Sequence, residues 1–374
     1  MLARNSGTAH LKHGDNRREE GVVPAELEFY TVDAGELSQE REQIERLLRE
    51  SDLGWDSRVG TFVVCREGAQ LIACAGLDRD VVKCVAISPA FRGSSLSLQL
   101  GSELLKVAME RGHFHLFLFT KPENAVFFRG WGFYPLVEVQ DRVTLMENSP
   151  IAIRKYCKDL QALRQPGGKI GCIVMNANPL TLGHRYLAEI AAGACDWLHV
   201  FIVREEASMF SYAERYELAS QGLSNIRNIT VHHGSEYIIS RATFPSYFLK
   251  GKCAVDECFT AVDLLLFREY IAPALDITHR YVGTEPICQV TNKYNQDMKL
   301  WLEAANSRSP SIEVVEVPRT TWRGGPISAS EVRRLLQDKS LGKIEELVPE
   351  STMNLLISRF GDKQKSEMTH GVEH

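Results

Sequence analysis

Residues 170–184 read IGCIVMNANPLTLGH, an apolar run of strand length that passes through a polar loop into Leu182-Gly183-His184. Residues 186–192, YLAEIAA, then place apolar side chains at the spacing of a helix with one buried face. This order predicts a strand, a tight loop and a helix that begins near Gly183. Because the first N–H groups of a helix are unpaired and lie at the positive end of its dipole, we expect the loop to bind an anion such as phosphate.

A second element of the same kind spans residues 326–336, PISASEVRRLL. The proline and serine at its beginning favour a helix N-terminus, and the apolar positions after them give one buried stripe. Ser328 and Ser330 bring hydroxyl groups to the first turn, and Arg333 can bind phosphate through two parallel hydrogen bonds. Two such N-termini facing each other across a cleft would hold a nucleoside triphosphate.

The composition is that of an ordinary globular protein, with 374 residues of which 44% are hydrophobic and 24% charged. The net charge of −5, without a long basic run, argues against a nucleic-acid partner. The nine cysteines form no C-x-x-C pair, so we expect reduced thiols and no protein metal site. No apolar run approaches the roughly 20 residues of a membrane span and the N-terminus lacks a signal-peptide pattern, so we expect a cytoplasmic protein with no membrane partner.

The pattern predicts an α/β protein with an N-terminal mixed α/β domain and a C-terminal Rossmann-like domain. The second domain is expected to contain a parallel sheet, because strands and helices alternate from Lys169 onward. We place a disordered segment at residues 1–28, the first domain at 29–148, a connector at 149–168, the second domain at 169–360 and a polar tail at 361–374.

The same patterns predict the individual elements. The first domain is expected to begin with a helix, followed by a hairpin of residues 61–66 and 70–75 and later by a helix over 96–109. The buried face of that helix is expected to contain Leu98, Leu100, Leu104, Leu105, Val107 and Ala108. In the second domain we expect strands at 170–175, 198–203, 229–232, 279–282 and 312–317, and helices at 213–223, 259–271, 297–305 and 328–337.

Residues 82–134 resemble the GCN5-related N-acetyltransferase fold, in which a loop before a helix binds the pyrophosphate of coenzyme A through backbone N–H groups. The corresponding loop is Arg92-Gly93-Ser94-Ser95, and Ser95 and Ser97 stand where glycines are usual in that family. The resemblance leaves two interpretations open. The domain is either a packing or docking module without acetyl transfer, or it holds the CoA-like arm of a carrier protein at this loop.

The two motifs at residues 181–184 and 327–333 resemble the two signatures of the HxGH nucleotidyltransferase superfamily, with Thr181 in place of the usual first histidine. Enzymes of that superfamily bring a nucleophile to the α-phosphate of a nucleotide and expel pyrophosphate. Further segments look like the citrate lyase ligase family, in which the Thr-Leu-Gly-His form is normal. They are residues 171–184, 204–212, 242–250, 282–286 and 291–295.

The citrate lyase ligase resemblance covers residues 30–360 and implies an ATP-dependent acetate ligase. Such an enzyme converts acetate to acetyl-adenylate and acetylates the thiol of the CoA-like prosthetic group on the citrate lyase acyl-carrier subunit, with AMP and pyrophosphate as products. By this resemblance His184 donates to the α-phosphate with Thr181 beside it, and Arg333 binds the departing phosphates together with the serines. A magnesium ion is expected to bridge the phosphates.

The expected ATP-binding set follows from the same resemblance and from the positions of the loops. It comprises Asn176, Asn178, Thr181, Gly183, His184, Gly283, Glu285, Ser328, Ser330 and Arg333. Arg215 and Lys250 are further cations that either reach a phosphate or serve packing and the surface.

Three other functions remain open from the sequence. An adenylyltransferase acting on a phosphopantetheine-like or ribosyl phosphate would make a stable nucleotide product without an acyl substrate. A non-catalytic module that senses ATP and CoA would bind ATP without turnover. An active N-acetyltransferase would use acetyl-CoA and no ATP.

Overall fold

The computed structural model describes residues 26–35, 40–204, 208–238, 252–285, 289–305, 309–322 and 324–369. Most of the segment expected to be disordered therefore lies outside the described residues, as does the family-like stretch 242–250 with Lys250. The first strand already begins at Leu27, within the segment 1–28. No helix of the described residues is both long and apolar enough to cross a membrane.

The first half is built on a mixed sheet of seven strands. They are β1 (Leu27–Asp33), β2 (Thr61–Glu67), β3 (Gln70–Asp78), β4 (Val81–Ile87), β5 (Phe117–Thr120), β6 (Tyr134–Val139) and β7 (Val143–Glu147), in the order β1-β2-β3-β4-β5-β7-β6. Neighbouring strands run antiparallel except β4 and β5, which are parallel and share only the pairs Val81↔Phe117 and Val82↔Leu118. Because β4 and β5 separate beyond these pairs, a cleft opens between them.

Three helices cover the two faces of this sheet: α1 (Arg41–Glu50), α2 (Leu96–Glu110) and α3 (Ala125–Arg129). Helices α1 and α2 pack into different hydrophobic clusters, on opposite faces. The predicted hairpin and the helix after it are confirmed. Two expectations are wrong: the first element is the edge strand β1, which pairs along its whole length with β2, and Leu98 is 53% exposed although it was placed on the buried face of α2.

The second half contains the predicted parallel sheet. Its strands are β8 (Ile170–Met175), β9 (Trp197–Ile202), β10 (Ile229–His232), β11 (His279–Gly283) and β12 (Glu313–Val317), in the order β10-β9-β8-β11-β12. The order reverses between β8 and β11, and loops that follow the strands on either side of such a switch point form a crevice in which open α/β sheets bind ligands.

The helices of this half precede, connect and follow the strands. They are α4 (Ala152–Gln161), which is the connector, α5 (Leu182–Gly193), α6 (Tyr212–Gly222), α7 (Lys252–Leu266), α8 (Ala272–Leu275), α9 (Gln289–Glu303), α10 (Ala329–Gln337) and α11 (Glu350–Thr369). A π-helical turn at Phe267–Ile271 joins α7 to α8, and a short hairpin of β13 (Thr321–Trp322) and β14 (Gly325–Pro326) precedes α10. The backbone of α11 continues through residues 361–369, which we expected to be a polar tail.

One hydrophobic cluster joins the two halves of the molecule. Phe117 of the first sheet belongs to the same cluster as Tyr237 and Phe259 of the second half. At this junction the Tyr237 hydroxyl donates to Oε2 of the buried Glu147 at 2.7 Å, and His115 Nε2 lies 2.7 Å from the same oxygen. The front half is thus packed against the back half through a shared core.

Candidate active site

The loop after β8 enters α5 through a capping box formed by Thr181 and His184. The backbone N–H of His184 donates to Thr181 Oγ1 at 3.4 Å, and the backbone N–H of Thr181 donates to His184 Nδ1 at 3.1 Å. The threonine hydroxyl lies 2.9 Å from the same ring nitrogen. Nδ1 accepts a hydrogen bond from the backbone N–H of Thr181, which can only donate. The proton of the neutral ring is therefore assigned to Nε2.

The imidazole of His184 is neutral at physiological pH. Burial, reinforced by the positive charge of Arg319, lowers the pKa of His184 to about 4. The ring therefore presents one N–H donor at Nε2, held in orientation by the cap of its own helix. The threonine side chain in place of the first histidine of the motif thus has a structural role, because its Oγ1 caps α5, the helix that carries His184.

The second motif begins α10 in the same manner. Ser328 is the N-cap, and its Oγ accepts a hydrogen bond from the backbone N–H of Glu331 at 3.2 Å. The two helix starts touch at Gly183, where an added Cβ would lie 2.7 Å from the carbonyl oxygen of Ile327. Only a residue without a side chain permits this approach, so Gly183 brings the first motif against the second.

A cleft of about 310 Å³ opens between these two helix starts and the carboxyl ends of β11 and β12. It is lined by most of the residues predicted to bind ATP. They are Thr181, Gly183 and His184 at α5, Ser328 and Ser330 at α10, and Gly283 and Glu285 after β11. The cleft is therefore located at the switch point of the parallel sheet, as expected for a nucleotide site.

Asn176, Asn178 and Arg333 do not line this cleft. Asn178 is buried, and its Oδ1 accepts from the backbone N–H of Phe210 at 3.2 Å. Arg333 Nη1 donates to the carbonyl oxygen of Asn178 at 2.6 Å, and Nη2 donates to Ser330 Oγ at 3.1 Å. These contacts tie α10 to the loop after β8, so Asn178 and Arg333 fix the position of α10 beside the cleft.

Arg215 is a structural residue, and the idea that it contacts phosphate is wrong. The side chain is fully buried, and its Nη1 donates at 2.8 Å to the carbonyl oxygens of Asn176 and Val203 and to Asn176 Oδ1. Its Nε donates to the carbonyl oxygen of Phe210 at 3.2 Å. The guanidinium satisfies backbone acceptors that the turn after β8 leaves unpaired, which agrees with the packing interpretation.

Arg319 is the functional candidate that sequence reasoning missed. It lines the cleft, its Nη2 donates to Glu285 Oε2, and its backbone N–H donates to Thr284 Oγ1 at 3.3 Å. No motif marks this residue, which lies in an irregular segment between β12 and β13. Its one sequence signal is its place two residues after a predicted strand, since loops that follow parallel strands bind ligands.

The residues present fit a magnesium ion that is carried by the nucleotide. No group of three or more His, Cys, Asp or Glu side chains that could hold a metal occurs in the described part of the chain. Among the described residues of the cleft, Glu285 is the one carboxylate, and it is paired with Arg319. Magnesium is commonly held by substrate phosphates and water with few protein ligands, which matches this donor set.

A second cleft, of about 540 Å³, lies between β4 and β5 in the first half. Arg92 and Gly93 line it, and Arg92 Nε donates to the carbonyl oxygen of Ile87 at 3.2 Å. Ser94 and Ser95 lie in the loop beside it without lining it, and the Ser94 hydroxyl donates to a backbone carbonyl at 2.7 Å. Of the four residues of the predicted loop, the first two line this cleft and the last two do not.

The strand order and the two helix starts that share one cleft define an α/β protein whose parallel-sheet domain has a cleft at its switch point, with a second domain attached. Residues 170–356 match the family described as citrate lyase ligase C-terminal domain. The chain is 50% identical over 317 residues to citrate (pro-3S)-lyase ligase from Klebsiella pneumoniae, covering 85% of this chain and 92% of that protein. It is 49% identical over 314 residues to the protein of the same name from Escherichia coli K12, covering 84% and 89%. The chain belongs to the citrate lyase ligase family.

Solved structures similar to each half have low sequence identity. Escherichia coli ElaA is 22% identical and covers 33% of this chain and 100% of its own, with a TM-score of 0.30. A putative nicotinate-nucleotide adenylyltransferase from Vibrio parahaemolyticus is 16% identical and covers 50% of this chain and 98% of its own, also with a TM-score of 0.30. The fold assignment above rests on the strand orders themselves.

Proposed function

We propose that this protein is an ATP-dependent ligase that activates acetate as acetyl-adenylate. It then acetylates the thiol of the CoA-like prosthetic group on the acyl-carrier subunit of citrate lyase. The observation that carries the proposal is the contact of the two helix starts at Gly183, around a cleft that His184 lines. Citrate lyase is proposed as the protein substrate because relatives about 50% identical to this chain are named citrate (pro-3S)-lyase ligase.

The reaction has two steps that balance without a redox partner. In the first, a carboxylate oxygen of acetate forms a bond to the α-phosphorus of ATP, and the bond to the bridging oxygen breaks, so that the electron pair leaves with pyrophosphate. In the second, the carrier thiol loses its proton to water and its sulfur forms a bond to the acetyl carbonyl carbon, while the bond from that carbon to the phosphate oxygen breaks and AMP leaves with the electron pair. Since no proton moves in the first step, the protein has to supply positioning and charge stabilisation.

The cleft offers that stabilisation through neutral donors. His184 donates from Nε2 to an α-phosphate oxygen. The backbone N–H of Gly183 adds to it, since the neighbouring N–H groups of Leu182 and His184 already donate to Leu347 and Thr181. Ser328 and Ser330 receive the departing phosphates at the start of α10. Arg333 is half-buried between Ser330 and Asn178, and through these contacts it holds α10 and its two serines in place.

Magnesium would be held by the phosphates of ATP, with water completing its coordination. It would neutralise part of the charge that develops as pyrophosphate leaves. Glu285 supports this arrangement through Arg319, since its carboxylate is paired with that guanidinium.

The cleft of the first half is proposed to receive the CoA-like arm of the carrier subunit. Its volume lies within the roughly 300–1,000 Å³ of small-molecule sites, and its lining is largely apolar, including Val85, Phe119 and Trp131. Phe127 lines the mouth and is 60% exposed, and its neighbour Val126 is 64% exposed without lining the cleft. The two residues form a matched pair on α3.

The arm assignment is tested with Phe127→Ala and Val126→Ala. Phe127→Ala is expected to raise the KM for the carrier subunit and to leave acetate-dependent pyrophosphate release unchanged, because the first step takes place in the other cleft. Val126→Ala should leave both unchanged. If the KM for the carrier subunit is the same in the two variants, the proposal that the arm binds in this cleft is wrong.

The overall function is tested by the mass of the carrier subunit after incubation with ATP, magnesium and acetate. An increase of one acetyl group on the thiol, dependent on all three, is the expected result. A nucleotide attached to a phosphate substrate would instead identify an adenylyltransferase. ATP binding without any product would identify a sensing module, and acetylation from acetyl-CoA alone would identify an acetyltransferase.

A further inference from the structure

Arg319 is the charged side chain of the nucleotide cleft to which neither sequence motif assigns a role. Its backbone N–H donates to Thr284 Oγ1, and its Nη2 donates to Glu285 Oε2, so it joins the loop after β12 to the loop after β11. An arginine carries five N–H donors in a rigid fork. The side chain of Arg319 is 28% exposed, so part of this fork remains open to the cleft.

Glu285 holds that guanidinium in one place. Its side chain is only 7% exposed, and its backbone carbonyl accepts a hydrogen bond from Asn292 Nδ2 at 3.0 Å. A buried carboxylate of this kind is stabilised by its cation and in turn fixes the direction of the fork. Glu285 is thereby engaged with Arg319, while Arg319 still presents donors to a ligand.

Arg319 and His184 lie close together in the nucleotide cleft. Both line the cleft, and the Arg319 charge is close enough to disfavour protonation of the imidazole, adding to the larger effect of burial on the pKa of His184. A guanidinium held by a carboxylate and a neutral N–H donor that line one cleft are complementary to an oxyanion that gains charge during reaction.

We propose that Arg319 is a catalytic residue that binds the α-phosphate oxygens of ATP during adenylation, and that Glu285 is its positioning residue. The inference rests on the proposed function and deepens it, since it assigns the cation that stabilises the first step. The guanidinium of Arg319 would also be complementary to the carboxylate of acetate. Measuring the KM for ATP and the KM for acetate in the variants distinguishes these two ligands.

The first test is acetate-dependent exchange of labelled pyrophosphate into ATP, which reports the adenylation step alone. Arg319→Ala should lower the maximal rate of exchange by about 10²–10³-fold, as found when one transition-state donor is removed, with a smaller change in the KM for ATP. Arg319→Lys should recover part of the rate, because it restores the charge without the fork. Added guanidinium ion should partly rescue Arg319→Ala, and Glu285→Gln should lose less than Arg319→Ala.

The matched control is Arg334→Ala. Arg334 is an exposed arginine of α10 whose donors go to Glu331 and Asp338, outside the cleft. Melting temperatures of all variants identify any that fail to fold, and the double variant Arg319→Gln with Glu285→Gln removes both charges of the ion pair together. Exchange in the folded double variant should be as low as in Arg319→Ala.

The second test supplies acetyl-adenylate directly to enzyme and thiol-bearing carrier subunit. Arg319→Ala should transfer the acetyl group close to the wild-type rate, because the bond to phosphorus has already formed. Unchanged exchange in folded Arg319 variants, or equal loss in both half-reactions without rescue by guanidinium, would overturn the assignment. A raised KM for acetate with no other change would show that Arg319 binds the acetate carboxylate, and it would also overturn the assignment. Absence of exchange in the wild type would instead overturn the proposed function.

Discussion

At the scale of single residues, the site depends on which nitrogen of His184 carries the proton. Thr181 donates its backbone N–H to Nδ1, so a proton on that nitrogen would face another donor. The pKa of about 4, caused first by burial and then by Arg319, keeps the ring neutral over the physiological range. The catalytic form is therefore the one present above the pKa, and it is lost as the pH falls through about 4.

The pH dependence of adenylation follows from this sign. We expect the rate of acetate-dependent pyrophosphate release to show no titration near pH 6.5 that originates from His184. His184→Gln carries an amide N–H near the position of Nε2 and no titrating ring, so it should keep part of the rate with the same flat profile. The comparison of the two pH–rate profiles checks this, and a wild-type inflection near pH 6.5 that His184→Gln abolishes would contradict it.

Gly183 provides a second prediction at the residue scale. In Gly183→Ala the new Cβ meets the Ile327 carbonyl at 2.7 Å, so one of the two helix starts has to move. We expect a lower melting temperature and a large loss of pyrophosphate release. Gly193→Ala, in the last turn of the same helix and with nothing within 4 Å of its new Cβ, should be neutral in both assays. Equal behaviour of the two variants would show that the close approach is unimportant.

At the scale of elements, Arg333 joins α10 to the loop after β8. Removing it leaves the carbonyl oxygen of the buried Asn178 without its donor at 2.6 Å, which costs about 1–3 kcal/mol for an unsatisfied buried group. Arg333→Ala should therefore lower the free energy of unfolding by about that amount and raise the KM for ATP. Denaturant unfolding and pyrophosphate release measure the two effects.

Arg334 is the control on the neighbouring position of the same helix. Its ion pairs with Glu331 and Asp338 are exposed, and exposed pairs contribute little to stability because water screens the charges. Arg334→Ala should be close to wild type in both measurements. If Arg333→Ala were as mild as Arg334→Ala, the link between α10 and the loop would not matter for the site.

The sequence predicted the elements whose signals are local. The parallel strands and the beginnings of α5 and α10 follow from apolar periodicity and from capping residues, which act within a few positions of the chain. Arg319 and Arg215 could not be assigned in the same manner, because their roles depend on which loops lie side by side. Strand β1 was missed for a related reason: its pairing with β2 is a long-range interaction, and as an edge strand it has few buried side chains.

At the scale of the whole molecule, the shared core means that the proposed roles of the front half and the back half cannot be tested by separating the two halves. Phe117 of the front half is in one cluster with Tyr237 and Phe259 of the back half, and Glu147 accepts the Tyr237 hydroxyl across the junction. Deleting residues 1–148 would expose this apolar surface and unpair Tyr237. Point variants in each cleft therefore test the role of the front half more cleanly than truncation does.

Acid stability is a further property of the whole fold. His199 and His232 are buried on β9 and β10 with Nδ1 and Nε2 2.8 Å apart, and burial lowers the pKa of both, as it does for His184. The unfolded chain therefore binds protons at these sites at a higher pH than the folded protein. Stability is fully present above about pH 6.5 and is lost as the pH falls from there toward the folded pKa values.

We expect the melting temperature to fall steadily between pH 7 and pH 5. The double variant His199→Leu with His232→Leu should reduce this slope, because both partners of the hydrogen bond are replaced by apolar groups and neither is left unpaired. Thermal unfolding of both proteins across this pH range is the measurement. A slope unchanged in the double variant would assign acid sensitivity to other groups.

The most direct measurement for the central claim is pyrophosphate release from ATP and magnesium, with and without acetate, in the wild type and in His184→Ala. We expect release that requires acetate, yields AMP, and falls by about 10²–10³-fold in the folded variant. Release by the wild type that is independent of acetate, or release that is unaffected by His184→Ala, would contradict acetate activation at this cleft.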